Sequence, residues 1–297
     1  MSTRPAQPPE SVCAVVVTYN RLELLERCLE ALAGQTRPVE EIVVVDNAST
    51  DGTAAAVRAA HPDVVLLALE ENVGGAGGFH AGMAQAHAAG HGWLWIMDDD
   101  TLPEPGALAA LLAGAERAPG PSVPPLLASQ VLWKDGSLHP MNRPFVRWRE
   151  PGTVATGAEH GLVALRSATF VSLAIRREAV DRFGLPLREY FIWGDDFEYT
   201  NRLLRDTPGY LVPESRVLHW TDRPHTSITG ARERFYYHVR NSLLVLRGSS
   251  MDAWERLSYL RYWAGTLKDY LRIHGHSRQA WAIVLRGLRD GCRGSAR

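Results

Sequence analysis

Only three cysteines occur in 297 residues, Cys13, Cys28 and Cys292. With no C-x-x-C spacing among them, neither a disulfide framework nor a zinc site is expected, and a reducing compartment is the natural home. A membrane-spanning run is also missing. The longest stretch free of Asp, Glu, Lys and Arg, from Asn72 to Met97, has the length to cross a bilayer, but its glycines and His80, His87 and His91 break any continuous apolar segment. Met1–Glu10 is Pro-rich and polar, lacks the apolar centre of a signal peptide, and reads as a disordered lead-in; nothing in it directs export. Two nucleotide fingerprints fail. A G-x-G-x-x-G beginning at Gly75 would need its third glycine where His80 stands, and no G-x-x-x-x-G-K-[ST] occurs. A dinucleotide oxidoreductase is thereby disfavoured.

What is present is ordinary globular composition, 45% hydrophobic and 22% charged, enough for one large domain or a domain with an appendage. The net charge of −1 hides an asymmetry: from Arg232 onward 13 Lys+Arg stand against 5 Asp+Glu, leaving 19 against 28 in residues 1–231. A basic tail behind an acidic body suits an anionic partner, or simply solvated helix faces.

The chain is organised around Trp93-Leu-Trp-Ile-Met-Asp-Asp-Asp-Thr101. Five apolar residues read as a strand buried on both faces, with three carboxylates where it emerges. Adjacent acids repel, and a hard divalent cation relieves that repulsion; Asp98 and Asp100, as alternate side chains, can share a face and ligate it. A solvated turn in which Asp100 or Thr101 caps a helix starting near Pro103 is the other reading. Before this stretch, apolar runs at Val12–Val17, Glu41–Val45 and Val64–Leu69 alternate with helical patterns, which implies right-handed crossovers and a mostly parallel sheet. In such sheets ligands bind beyond the carboxyl ends of the strands. That edge would carry Thr18-Tyr-Asn-Arg21, Asp46 and Asn47, Asn72 to Gly78 with its cluster of glycines, and Asp98 to Asp100. The glycines allow close approach of backbone to a bulky ligand, with a helix N-terminus near Phe79 to favour anionic oxygens.

Beyond Asp100 a helix is expected over Glu104–Arg117, then strand-like pieces at Leu126–Trp133 and Thr169–Ile175, with Arg143–Arg149 in a loop or edge hairpin. A second acidic group follows in Tyr190-Phe-Ile-Trp-Gly-Asp-Asp-Phe-Glu-Tyr199. Asp195 and Glu198 have the spacing of a capping box; Asp196, near Trp193 and Tyr199, could face the crevice as a general base. His219 ends a strand pattern and becomes a metal-ligand candidate only if that strand returns to Asp98–Asp100; His225 is a weaker candidate. Arg232–Asn241 opens a helical region, and Trp254–Arg289 repeats apolar residues at helical intervals with arginines between. This is a packed cap, or a surface that meets a membrane.

In order, V-V-V-T-Y-N-R, V-V-D-N-A-S-T-D-G-T, N-V-G-G-A-G-G-F, M-D-D-D-T and F-I-W-G-D-D-F-E-Y closely resemble the inverting glycosyltransferases of family 2, over about Val12 to Asn241. The glycine and W-G-D-D-x-E-Y motifs look most like the branch of bacterial galactofuranosyltransferases and rhamnosyltransferases. The resemblance implies an α/β fold of GT-A type, a mostly parallel nucleotide-sugar-binding sheet flanked by helices, with a donor half over about 11–118, an acceptor half over 119–230 and a basic helical region over 231–297. It implies that Thr18, Tyr19, Asp46 and Asn47 hold base and ribose, that Asn72, Gly74 and Gly75 lie along the donor, and that Asn20, Arg21, Gly78, Trp193 and Asp195 also line the donor site. Asp98, Asp100 and His219 would ligate Mn²⁺ or Mg²⁺, Asp99 would lie nearer the sugar or ribose, and Asp196 would be the catalytic base. The expected donor is a UDP- or dTDP-linked sugar and the acceptor a glycan or lipid-linked hydroxyl, at the cytoplasmic face of a membrane; nothing points to nucleic acid. A soluble natural-product acceptor, a nucleotidyltransferase and a non-catalytic nucleotide-sugar-binding protein are the alternatives. The second lacks a Lys/Arg-rich phosphate loop near the first strand, and the third would lose acids that this chain keeps.

Overall fold

The computed structural model describes residues 10–222 and 232–294. His225 and the lead-in, apart from Glu10, lie outside them. The strands are β1 (Val12–Thr18), β2 (Glu41–Asp46), β3 (Val65–Ala68), β4 (Trp93–Asp98), β5 (Thr101–Pro103), β6 (Leu126–Leu132), β7 (Phe145–Val146), β8 (Val163–Ser167), β9 (Leu173–Arg176) and β10 (Gly209–His219). The helices are α1 (Leu22–Ala33), α2 (Thr53–Ala60), α3 (Gly74–Ala89), α4 (Ala107–Arg117), α5 (Pro151–Glu159), α6 (Arg177–Phe183), α7 (Asp195–Leu203), α8 (Phe235–Arg247), α9 (Ala253–Ile273) and α10 (Arg278–Arg293).

All strands join one sheet in the order β3-β2-β1-β4-β9-β6-β10-β8-β7, with β5 paired antiparallel to β10. The first four strands are parallel, as their alternation with helices predicts. Their ends are level: Thr18 is in register with Asp46, and Val17 with Asp98. Past β4 the sheet becomes mixed, because β9 runs antiparallel between β4 and β6. Side chains of β1 alternate between two cores. Val12, Ala14 and Val16 pack with α1 and α4, whereas Cys13, Val15 and Val17 pack with α3. Each fully buried aliphatic side chain contributes roughly 1.5–3 kcal/mol, so β1, buried along its whole length, anchors the edge that bears the polar loops. A third core joins α8, α9 and α10 through Phe235, Trp263, Tyr270 and Ile283.

Three expectations are corrected. The glycine cluster is the first turns of α3, which begins at Gly74 rather than near Phe79. Glycine disfavours helix by about 1 kcal/mol relative to alanine, but here it buys proximity to the sheet: a Cβ on Gly78 would lie 2.5 Å from Val17 Cγ1, and one on Gly82 2.4 Å from Val15 Cγ1. Second, Asp100 and Thr101 cap no helix. Thr101 enters β5, and α4 starts only at Ala107. Third, Asp195 and Glu198 form no capping box. Gly194, at φ 86°, takes the cap position without a side-chain bond, and Glu198 pairs instead with Arg202 at 2.9 Å. The segment after α4 also contains α5 and β8, which the residue pattern did not reveal.

Candidate active site

The level ends of β1, β2 and β4 form one wall of a crevice. Thr18 Oγ1 donates to Asp99 Oδ2 at 2.8 Å, and Arg21 Nη1 reaches Asp99 Oδ1 at 3.2 Å and Asp100 Oδ2 at 2.8 Å. Asp99 is thus turned toward β1. Asp98 and Asp100 gather instead with His219, all three ligand atoms lying within 4.8 Å of one another. The strand carrying His219 does return to the acidic edge: His219 is in register with Thr101, and Trp220 N donates to Asp100 O at 2.7 Å.

Partners decide the acidity of these carboxyls. Burial, followed by repulsion from Asp100 and Asp99, pushes Asp98 well above the usual carboxylate range. Burial also raises Asp99, to about 6, against the pull of Arg21. Burial would raise Asp100 too, but the contacts with His219 and Arg21 outweigh it and hold this carboxyl low. Asp100 Oδ1 is buried, faces His219 Nε2 at 3.2 Å, and has no hydrogen-bond partner among the described residues. Two carboxylates and an imidazole converging there, with one oxygen left without a donor, fit a divalent cation.

An amide that the sequence reading passed over supports the histidine. Asn142 Nδ2 donates to Thr169 Oγ1 at 2.9 Å, which leaves Asn142 Oδ1 to accept from His219 Nδ1 at 2.8 Å. This network assigns the proton to Nδ1 and turns the Nε2 lone pair toward the carboxylates.

Helix α7 carries Asp195 and Asp196 in its first turn. The chain enters it through Phe191, Trp193 and Gly194 at φ 62°, 66° and 86°. For the two aromatics this left-handed conformation is strained. A second unforeseen amide holds it: Asn241 Nδ2 lies 2.8, 2.9 and 2.7 Å from the carbonyls of Tyr190, Ile192 and Trp193. Asp195 is buried, and burial followed by the charge of Asp196 raises it to about 8. Half-buried Asp196 is raised by burial to about 6, while the Phe197 amide, donating to its Oδ1 at 2.7 Å, resists the rise. The charge of Asp195 also helps to push Asp98 up, so the two acidic groups share one field.

The remaining expected residues divide into exposed and structural. Tyr19, 44% exposed, stands at the mouth. Asn20 joins two loops, its side chain accepting from Thr50 N at 2.7 Å, and Asp46 accepts from Ser49 N at 3.1 Å. Asn47 is engaged at both ends of its amide, donating to Gly74 O at 3.0 Å and accepting from Val73 N at 2.9 Å. Asn72 accepts from Gly74 N at 2.8 Å, and Ala76 N donates to Phe191 O at 3.1 Å. These bonds engage N–H groups at the start of α3 from within the protein, in place of the anion site anticipated near Phe79. Gly74, at φ 74°, lets Phe191 O come within 2.1 Å of where a Cβ would sit; a position beside Gly75 is open. Gly78 faces the sheet, not the crevice, and Trp193 packs toward the helical core of α8–α10.

Residues 13–181, more than half of the chain, match glycosyl transferase family 2. The chain belongs to that family. This glycosyltransferase is 33% identical over 217 residues to a galactofuranosyltransferase of Mycolicibacterium smegmatis, covering 69% of this chain and 71% of the relative. It is 29% identical over 289 residues to the N-acetylglucosaminyl-diphospho-decaprenol L-rhamnosyltransferase of Mycobacterium tuberculosis, covering 88% and 91%. Among solved structures, S. aureus TarS 1–349 in complex with UDP matches with a TM-score of 0.64 at 17% identity, over 95% of this chain and 80% of that one. That likeness shows the fold, the GT-A arrangement implied by the motifs.

Proposed function

We propose that this family 2 enzyme is an inverting, metal-dependent glycosyltransferase that moves galactofuranose or rhamnose from a UDP- or dTDP-linked donor to an acceptor hydroxyl in bacterial cell-surface glycan synthesis. The observation that carries this reading is the convergence of Asp98, Asp100 and His219 at the strand ends, with Asp195 near enough to act on Asp98. Relatives named for galactofuranosyl and rhamnosyl transfer, one with a lipid-linked diphosphate acceptor, support the sugar and acceptor classes. TarS complexes with UDP and UDP-GlcNAc support a nucleotide-sugar donor.

Asp98, Asp100 and His219 would hold the cation, which when bound supplies positive charge to the departing diphosphate. Arg21, held by Asp99 and Asp100, adds a fixed positive group at the same edge. Tyr19 and the β1 and β2 loops frame the nucleotide; Asp99 and the open face at Gly75 lie toward ribose or sugar. Asp196 accepts the proton of the acceptor hydroxyl as that oxygen attacks the anomeric carbon from the side opposite the leaving group. An acidity near 6 suits the task, since the group is ionised at neutral pH yet still basic. Burial makes Asp195 the more reluctant to ionise, and we assign it to orienting the donor. Most of the donor site is assigned to residues 11–118, joined by Asp195 and His219, and the base to 119–230.

Thermal stabilisation against a panel of UDP- and dTDP-sugars, with Mn²⁺, Mg²⁺ or EDTA, tests this reading. A donor at 100 times its Kd adds about 2.7 kcal/mol. One metal-dependent shift identifies the donor; equal shifts with EDTA refute metal dependence, and no shift with any donor favours a scaffold. Product analysis with lipid-linked and soluble acceptors then separates glycan assembly from natural-product glycosylation.

A further inference from the structure

Helix α9 buries surprisingly little of its length. Over 21 residues only Trp263, Thr266, Tyr270 and Leu271 are buried. The apolar repeat therefore does not all turn inward: Trp254 is 60% exposed, Leu257 47% and Leu260 44%. On the side opposite Trp263, helical spacing places Trp254, Leu257, Arg261, Lys268 and Arg272 on one arc, every one exposed, with the small residues Ala264 and Gly265 between them. No acid lies on that arc. Asp269 flanks it and approaches Arg272 to 3.4 Å; Glu255 is turned away, holding Arg166 at 2.5 Å. Next to the start of the helix Arg149 binds Asp252 at 2.7 Å, and its neighbour Trp148 is 75% exposed. Aromatic and aliphatic anchors at one end and cations along the rest are the composition of a helix lying in a lipid interface.

We propose that the outer face of α9 seats the enzyme on an anionic bilayer. A second copy of the chain is a poorer occupant, because two such faces would bring like charges together with no acid to answer them. No described helix is long and apolar enough to cross a membrane, so the contact lies in the interface plane. The inner face of α9 gives the contact a use. Tyr259 stacks on Phe197 with ring centroids 5.0 Å apart, and Phe197 follows Asp196 on α7. Docking would hold the proposed base at a set height above the lipid surface, where a lipid-linked hydroxyl is presented. That purpose rests on the transfer reading above, but the surface does not.

Sedimentation of the full chain with phosphatidylcholine vesicles, with and without phosphatidylglycerol, tests the proposal. Binding is expected only to the anionic vesicles and weakens as salt rises. Each cation near such a surface is worth about a factor of five, so Arg261→Ala with Lys268→Ala should lower partitioning roughly 25-fold at low salt. Trp254→Ser with Leu257→Ser should remove the salt-resistant part, and neither pair should alter turnover on a short soluble acceptor. Equal binding to neutral vesicles, indifference to both pairs, or a dimer in solution that Trp254→Ser with Leu257→Ser dissociates would each overturn it. Vesicle binding by a protein that transfers no sugar would leave this surface standing and sink the transfer reading.

Discussion

Asp100 and the two carboxyls at the start of α7 are the same residue type treated in opposite ways. At the end of β4, Asp100 is given the guanidinium of Arg21 at 2.8 Å and the imidazole of His219 at 3.2 Å, and is held low. At the start of α7, Asp195 and Asp196 receive no cation within salt-bridge distance among the described residues, and burial raises both. The first arrangement keeps charge in place, as a ligand must. The second keeps a proton within reach, as a base must.

The largest way to break this contrast is at Asp196. Replacing it with Asn should lower turnover about 10²–10⁴-fold and leave donor affinity nearly unchanged, because a base acts mainly in the transition state. In the unaltered enzyme turnover should rise as pH climbs through about 6, where Asp196 ionises. Retained turnover in the variant would transfer the base role to Asp195. Next in size is the support behind His219. Asn142→Leu should leave the fold intact but weaken Mn²⁺ binding, measured by calorimetry with UDP present, by about 10–100-fold; an unchanged affinity would mean that His219 needs no orienting partner. Asn241→Ala removes the amide shared by three carbonyls, of which Tyr190 O keeps Arg240 Nη2 and Ile192 N, and frees the strained entry to α7. Chemical denaturation should register a loss of about 1–3 kcal/mol, with turnover falling alongside, whereas a neutral result would show that the 190–194 backbone holds itself.

The smallest effect has the opposite sign. Because Asp195 is raised to about 8 in the folded protein, its folded state binds more protons than the unfolded one between about pH 4 and 8. Stability from this group is full below the unfolded pKa and is lost as pH rises through the folded value. Asp195→Asn should therefore raise the melting temperature by a few degrees at pH 8, and the gain should vanish near pH 4. A variant melting lower at both pH values would place a needed ionic contact at Asp195.

The sequence shows the positions of the strand ends plainly, since apolar runs that stop at Thr18, Asp46 and Asp98 are local signals, and β1, β2 and β4 deliver them level. His219 needed one long-range fact, the return of β10 to β5, and could be stated only as a condition. The glycines misled because helix propensity is weak against packing: α3 tolerates Gly74, Gly78 and Gly82 for the close approach they permit. Asn142 and Asn241 carried no local signal at all. A single amide acquires its meaning from carbonyls or a ring brought to it by the fold, and no spacing rule records that. Likewise the apolar repeat of α9 announces a helix but not how much of it faces out.

The pairing of β5 with β10 also makes the site depend on two distant parts of the chain. A partly folded chain containing only the parallel strands would already display Asp98 and Asp100, yet it would lack His219 until the late strand closed over a long loop. The complete cluster of Asp98, Asp100 and His219 therefore exists only where β10 has joined β5.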